Sequence, residues 1–129
     1  MPQVKILIVD DSKDILEGMK MFLEIKNYEV KTVSNAKTIK EDIASFNPDL
    51  LILDIYLSGF DGRELCKTLK TDHDTKHLKI ILFSAASNAL EDYGYYGADA
   101  CLEKPFGLND ISNKIESVLK IAKDSLAKS

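Results

Sequence analysis

Two adjacent aspartates, Asp10 and Asp11, follow the apolar run Val4–Val9. A third, Asp54, closes the run Leu50–Leu53. Ser84 follows Ile80–Phe83, and Lys104 stands just past the weaker run Ala98–Leu102. Each of these groups stands at the end of an apolar run. If the runs are parallel strands of one sheet, three carboxylates, a hydroxyl and an ammonium share one sheet edge. Clustered carboxylates repel one another unless a cation sits among them. Oxygen-only donors suit a hard divalent ion, and Mg²⁺ is the expected one. With Mg²⁺ and Lys104 present, such a site attracts a phosphoryl group. An aspartate carboxylate can then act as the nucleophile and form an aspartyl-phosphate, while the ion and the lysine neutralise charge on the transferring oxygens. The plainer reading is capping: Asp10, Asp11 or Ser12 could cap a first helix, and Ser84 a later one. That reading has to be invoked separately at each of four strand ends.

The elements that must position these groups can be read from the spacing of apolar residues. The runs VKILIV, LLIL and IILF are nearly continuous, as in strands buried on both faces of a parallel sheet. The run Glu29–Val33 (EVKTV) alternates and belongs nearer an edge. Between the runs, Ile15, Met19, Phe22 and Leu23 share a helical face. So do Ile39, Ile43 and Phe46; Leu65 and Leu69; and Ile111, Ile115, Val118 and Leu119. Asn27-Tyr28, Asn47-Pro48, Thr71–Lys79, Gly94 and Gly97 separate the units. Ser87–Gly97, with two glycines and three tyrosines, is the weakest helical segment. The order β-α-β-α-β-α-β-α-β-α predicts one doubly wound α/β domain with right-handed crossovers. In such a sheet, ligands bind beyond the carboxyl ends of the strands, where the strand order reverses.

The 129 residues suit one domain, and 45% apolar with 29% charged residues is ordinary for a globular protein. No apolar run approaches the roughly 18 residues of a membrane span. The run Val4–Val9 is short and ends in two aspartates, unlike a secretion signal. No membrane association and a cytoplasmic location are the expectations. Net charge is −4 and Arg63 is the single arginine, so direct nucleic-acid binding is disfavoured. Cys66 and Cys101 fit no metal-ligand or disulfide pattern, and Cys66 beside Leu65 reads as core. Residues 1–122 read as the domain and 123–129 as a polar tail. Ile115, Val118, Leu119, Ala122 and Leu126 nevertheless keep a helical spacing, so a frayed tail and a longer docking helix both stay open.

Together the motifs resemble the receiver (CheY-like) domain of two-component response regulators. The matching pieces are VDDS (Val9–Ser12), LLILDIYLSGFDG (Leu50–Gly62), FSA (Phe83–Ala85), GADA (Gly97–Ala100) and EKPF (Glu103–Phe106), in that family's order and spacing. The resemblance implies a flavodoxin-like (βα)5 fold with a five-stranded parallel sheet in the order 2-1-3-4-5. It implies that Asp54 accepts a phosphoryl group from a phosphohistidine of a sensor histidine kinase or phosphotransfer protein. Asp11, Asp54 and the backbone carbonyl of Tyr56 would ligate Mg²⁺ directly, and Asp10 mainly through water. Lys104 would pair with the phosphoryl oxygens and precede a cis proline, Ser84 would donate a hydrogen bond to them, and Ala85 would leave room for the donor. The output is then a conformational change read by a downstream protein, and the domain is a signalling module rather than an enzyme.

Two positions depart from the family's pattern. Ser58 replaces a frequent proline four residues after Asp54. Cys101 replaces the usual tyrosine or phenylalanine, which puts the family's aromatic switch in doubt; Phe83, Tyr93, Tyr95 or Tyr96 could stand in, and Cys101→Tyr should be tolerated. Two rival readings remain. A phosphatase of the haloacid dehalogenase type forms an aspartyl-phosphate too, but carries a second aspartate where this chain has Tyr56. A flavodoxin-like cofactor binder needs a glycine- or hydroxyl-rich loop after the first strand, where DDSKD would repel a phosphate. His73 and His77, four apart in a polar stretch, read as surface residues. Tyr93, Tyr95 and Tyr96 read equally as partial packing or as a partner patch.

Overall fold

Every apolar run of the chain becomes a strand. In the computed structural model, which describes residues 3–127, β1 (Lys5–Val9), β2 (Glu29–Val33), β3 (Leu50–Asp54), β6 (Lys79–Ser84) and β7 (Ala100–Glu103) form one sheet. All its pairings are parallel, in the order β2-β1-β3-β6-β7. The short strands β4 (Tyr56–Leu57) and β5 (Phe60–Asp61) make a separate antiparallel hairpin. With that hairpin set aside, the order is the expected 2-1-3-4-5.

Strand residues alternate between two faces, and both faces are covered. Leu7, Val9, Leu51, Leu53, Ile80 and Leu82 pack with Ile39 and Ile43 of α2 (Ile39–Phe46) and with Cys66 and Leu69 of α3 (Gly62–Thr71). Ile6, Ile8, Leu50, Ile52, Ile81 and Phe83 pack on the other side with α1 (Lys13–Ile25) and α4 (Leu108–Ala127). That double burial is why the runs are continuous in sequence. β2 is an edge strand, and it carries the alternating pattern.

Two helical expectations shift. The buried centre of α1 is Leu16, Met19 and Leu23, with Ile15 and Phe22 on its flanks. More substantially, Ser87–Gly97 does not form an α-helix. A single 3₁₀ turn, Ser87–Leu90, is followed by turns through residue 97. Ala89 and Leu90 anchor it in the core, but Gly94 and Gly97 (φ 86°) then interrupt any helix. At the other end of the chain, α4 continues through Ala127, into the segment read as a polar tail.

Cys66 is fully buried, and desolvation pushes its thiol up to about 12, with Asp99 adding to the rise against Lys70. Only the thiolate attacks electrophiles. Cys66 should therefore escape alkylation in the native protein at mildly alkaline pH and react on unfolding, leaving half-buried Cys101 as the native target. Peptide mapping after native and denatured labelling checks this.

Candidate functional site

The carboxyl ends of four neighbouring strands carry the chemistry. Asp10 follows β1 and is 1% exposed; Asp54 ends β3 and is 6% exposed; Ser84 ends β6 and is fully buried. Beyond β7, the backbone amide of Lys104 donates to the Ser84 carbonyl at 2.8 Å, continuing the β6–β7 ladder and bringing the lysine alongside. The Lys104–Pro105 bond is cis.

The Lys104 ammonium reaches back across the strand ends. It donates to Asp10 Oδ2 at 2.8 Å and lies 3.5 Å from Asp54 Oδ2. It also stands over the ring of Phe83, 4.5 Å from the centroid. The Asp54 carboxyl is pushed above the usual carboxylate range. Burial is the main cause, only partly offset by the Lys104 charge, and the neighbouring Asp10 adds to the rise.

The remaining groups are held by local turns. Ser12 N–H donates to Asp10 Oδ1 at 2.8 Å, while the Ser12 hydroxyl caps α1 by accepting from Ile15 N–H at 3.4 Å. The cap is therefore Ser12, and Asp10 is left facing Lys104. Asp11 is exposed, and its Oδ2 accepts from Ser58 N–H at 2.9 Å. No group of three or more His, Cys, Asp or Glu side chains close enough to hold a metal ion occurs among the described residues. Ser84 Oγ accepts from Ala86 N–H at 3.1 Å. Tyr56 is exposed at the start of the hairpin.

Several contributors were not assigned a role from the sequence. Ser58-Gly59 is the tip of the β4–β5 hairpin, with Gly59 at φ 77°, and it presents the amide that Asp11 uses. Asp61 caps α3 through Arg63 N–H at 2.9 Å and forks with the Arg63 guanidinium, which holds its carboxyl below the usual range. Gly62 lets the start of α3 press against the backbone of Asp54 and Ile55, and its N–H donates to the Ile55 carbonyl at 2.7 Å. The pair Asp61-Gly62, just ahead of an amphipathic stretch, was the available signal.

The other singled-out residues stay outside this cluster. His73 and His77 are exposed. Tyr95 is 72% exposed, stacks edge-on against Tyr96 and lies under Lys67, while Arg63 lies over Tyr96. Cys101 and Tyr93 pack against one core cluster, whereas Phe83 belongs to the opposite face. Phe83 is therefore not a stand-in for a ring at position 101, and Tyr93 shares that side. A groove of about 470 Å³, lined by Ile15, Met19, Phe106 and Leu108, opens beside Lys104. Among the described residues no helix is long and apolar enough to cross a membrane.

Known proteins resemble this chain in sequence and fold. Residues 6–116 match the response regulator receiver domain family. The nisin biosynthesis regulatory protein NisR of Lactococcus lactis subsp. lactis is 40% identical over 120 residues, which cover 90% of this chain and 50% of NisR. The chain thus spans about half the length of the curated relatives it matches. Among solved structures, a CheY-like receiver domain protein from Methanospirillum hungatei JF-1 superposes with a TM-score of 0.87 at 29% identity, over 96% of this chain and 99% of that one. The response regulator TrrA of Thermotoga maritima, solved in complex with Mg²⁺ and a beryllium fluoride, superposes with a TM-score of 0.81 at 32% identity, over 90% and 99%. This chain belongs to the response regulator receiver domain family and is a phosphoacceptor module of two-component signalling.

Proposed function

We propose that Asp54 is the phosphoacceptor, taking its phosphoryl group from a phosphohistidine of a sensor kinase or phosphotransfer protein. The observation that supports this reading is the buried pair Asp10 and Asp54 sharing the single ammonium of Lys104 at the strand ends. A carboxylate oxygen of Asp54 attacks phosphorus, the P–N bond of the donor phosphohistidine breaks with its electron pair going to nitrogen, and the ring, protonated on its other nitrogen, leaves as neutral imidazole. Lys104 exchanges its carboxylate contacts for the new phosphoryl oxygens. The Ser84 hydroxyl, one strand over, turns from its local turn to donate to them.

The charge count bears on the metal. Two buried carboxylates, Asp10 and Asp54, share one lysine, so the set is short of positive charge and offers oxygen donors only. Those residues fit Mg²⁺, with Asp10, Asp11, Asp54 and the Tyr56 carbonyl as its holders. When bound, Mg²⁺ supplies neutralisation of the transferring oxygens. The output is a conformational change read by a downstream protein in the cytoplasm, with no direct contact to nucleic acid.

The test is incubation with a small phosphodonor and Mg²⁺, read by intact mass. The expected result is a gain of one phosphoryl group per chain, without sustained turnover of the donor, and a melting temperature raised by Mg²⁺ alone. Lys104→Ala should still take up some phosphoryl group but lose the amide shift changes around Ser84–Ser87 that a beryllofluoride mimic produces in the parent. Continuous donor hydrolysis would point to a phosphatase, and an unchanged mass would sink the reading.

A further inference from the structure

Among the described residues the ammonium of Lys104 makes two ion pairs, both with carboxylates, and one contact of another kind. That contact is with the face of Phe83, 4.5 Å from ring centroid to Nζ. Phe83 is fully buried, one residue before Ser84, and in register with Asp54 on β3 and Leu102 on β7. Its ring packs against that of Phe106 at 6.1 Å, tilted by 59°. It is therefore a fixed surface beneath the lysine rather than a mobile one. The Lys104 side chain is only 15% exposed, so water competes weakly for the ammonium and the attraction of the ring face is strengthened.

We propose that Phe83 is the positioning residue of Lys104, holding the ammonium in place while the carboxylates are engaged in chemistry. The inference rests on the reading that Asp54 accepts the phosphoryl group. Asp10 and Asp54 are the groups that would hold a cation and receive the phosphoryl group, and each such bond divides their hold on the lysine. The ring has no charge to surrender and no lone pair to give a metal. It is the one contact of the ammonium that persists from the empty to the loaded site. It also sits on the strand that carries Ser84, so it places the cation beside the hydroxyl that shares its task.

The experiment replaces Phe83 site-specifically with 3,4,5-trifluorophenylalanine, which keeps the ring's shape but removes its electron-rich face. Phe83→Leu serves as the non-aromatic comparison. In the metal-free protein, the Lys104 Hε resonances should be shifted upfield by the ring in the parent and lose that shift in Phe83→Leu. At saturating Mg²⁺, phosphorylation of the trifluoro variant by a small donor should be about fivefold slower, the scale of one cation–ring contact. Its Mg²⁺ affinity and melting temperature should match those of the parent. An unaltered rate in the trifluoro variant, or unshifted Lys104 resonances in the parent, overturns the role of Phe83 while leaving Asp54 as acceptor. Phosphorylation that survives Asp54→Asn overturns the acceptor reading instead. A fall in rate that tracks a fall in Mg²⁺ affinity or melting temperature also refutes the inference, since it marks a structural role only.

Discussion

Asp54→Asn should take up no phosphoryl group from any donor, keep the fold, and melt higher than the parent at neutral pH. The first outcome follows from the loss of the nucleophilic oxygen. The second follows from shape, because asparagine fills the same buried space. The third follows from the raised pKa of Asp54, which burial causes and Asp10 reinforces against the pull of Lys104. A carboxyl whose folded pKa lies above its unfolded value stabilises the fold fully only below the unfolded value, and that contribution is lost as pH rises through the folded pKa. The ionised parent therefore bears a cost at neutral pH that the amide does not. Lys104 keeps its shorter contact, to Asp10 at 2.8 Å, so the substitution strands no buried charge. Thermal melts from acid to neutral pH should show the two proteins converging in acid and separating as pH rises. A gap that widens toward acid would contradict the assigned direction, and an undiminished mass gain would move the nucleophile elsewhere.

Gly62→Ala is expected to be among the most damaging single-methyl changes in the chain. A Cβ at position 62 would lie 2.8 Å from Ile55 Cα and 2.9 Å from the Asp54 carbonyl carbon, and closer still to the Asp54 carbonyl oxygen. All three are backbone atoms of the strand end that presents the acceptor, and none can swing aside. Overpacking costs roughly 1–3 kcal/mol and occasionally more; contact with backbone puts this case at about 3 kcal/mol. That is a large share of the roughly 5–15 kcal/mol that holds an ordinary domain together. Because the strain falls on Asp54 and Ile55, phosphoryl uptake should drop with stability. Gly18→Ala is the matched control: its Cβ would meet nothing within 4 Å on an exposed face of α1, and alanine there should stabilise by about 0.5–1 kcal/mol. Denaturant midpoints of the two variants, moving in opposite directions from the parent, check the pair. Equal midpoints would mean that α3 does not approach β3 as closely as the structure shows.

How far the sequence could be read depended on the kind of physics involved. Both-face burial leaves a direct trace in composition, so the strands and the β2 edge were visible as runs and as an alternation. The groups at the strand ends were visible for the same reason, since a polar residue that interrupts a buried run has a known place in the fold. Contacts made through turns left no such trace. The capture of Asp11 by the Ser58 amide depends on a two-residue hairpin that no apolar pattern marks. The contact of Lys104 with the Phe83 ring joins residues 21 positions apart whose separate signals read as core and as site. The expected fourth helix failed because Ala89 and Leu90 satisfy the core within one turn, after which Gly94 and Gly97 release the chain. The buried row of α1 is centred on Leu16 rather than Ile15, a shift of one residue that both positions' hydrophobicity conceals.

The Lys104–Asp10 contact joins residues 94 positions apart. Asp54 enters from a strand lying between them in the sheet, and Ser84 from the next. The reactive constellation therefore has no local precursor: it comes into being only when β1, β3, β6 and β7 are all in place. A ribosome-bound chain that has not yet delivered β7 holds Asp10, Asp54 and Ser84 but lacks the cation that draws them together. Such a chain has its acceptor carboxylate but not the ammonium that Asp10 and Asp54 share. The complete constellation thus waits on the strand that delivers Lys104, and does not build up strand by strand.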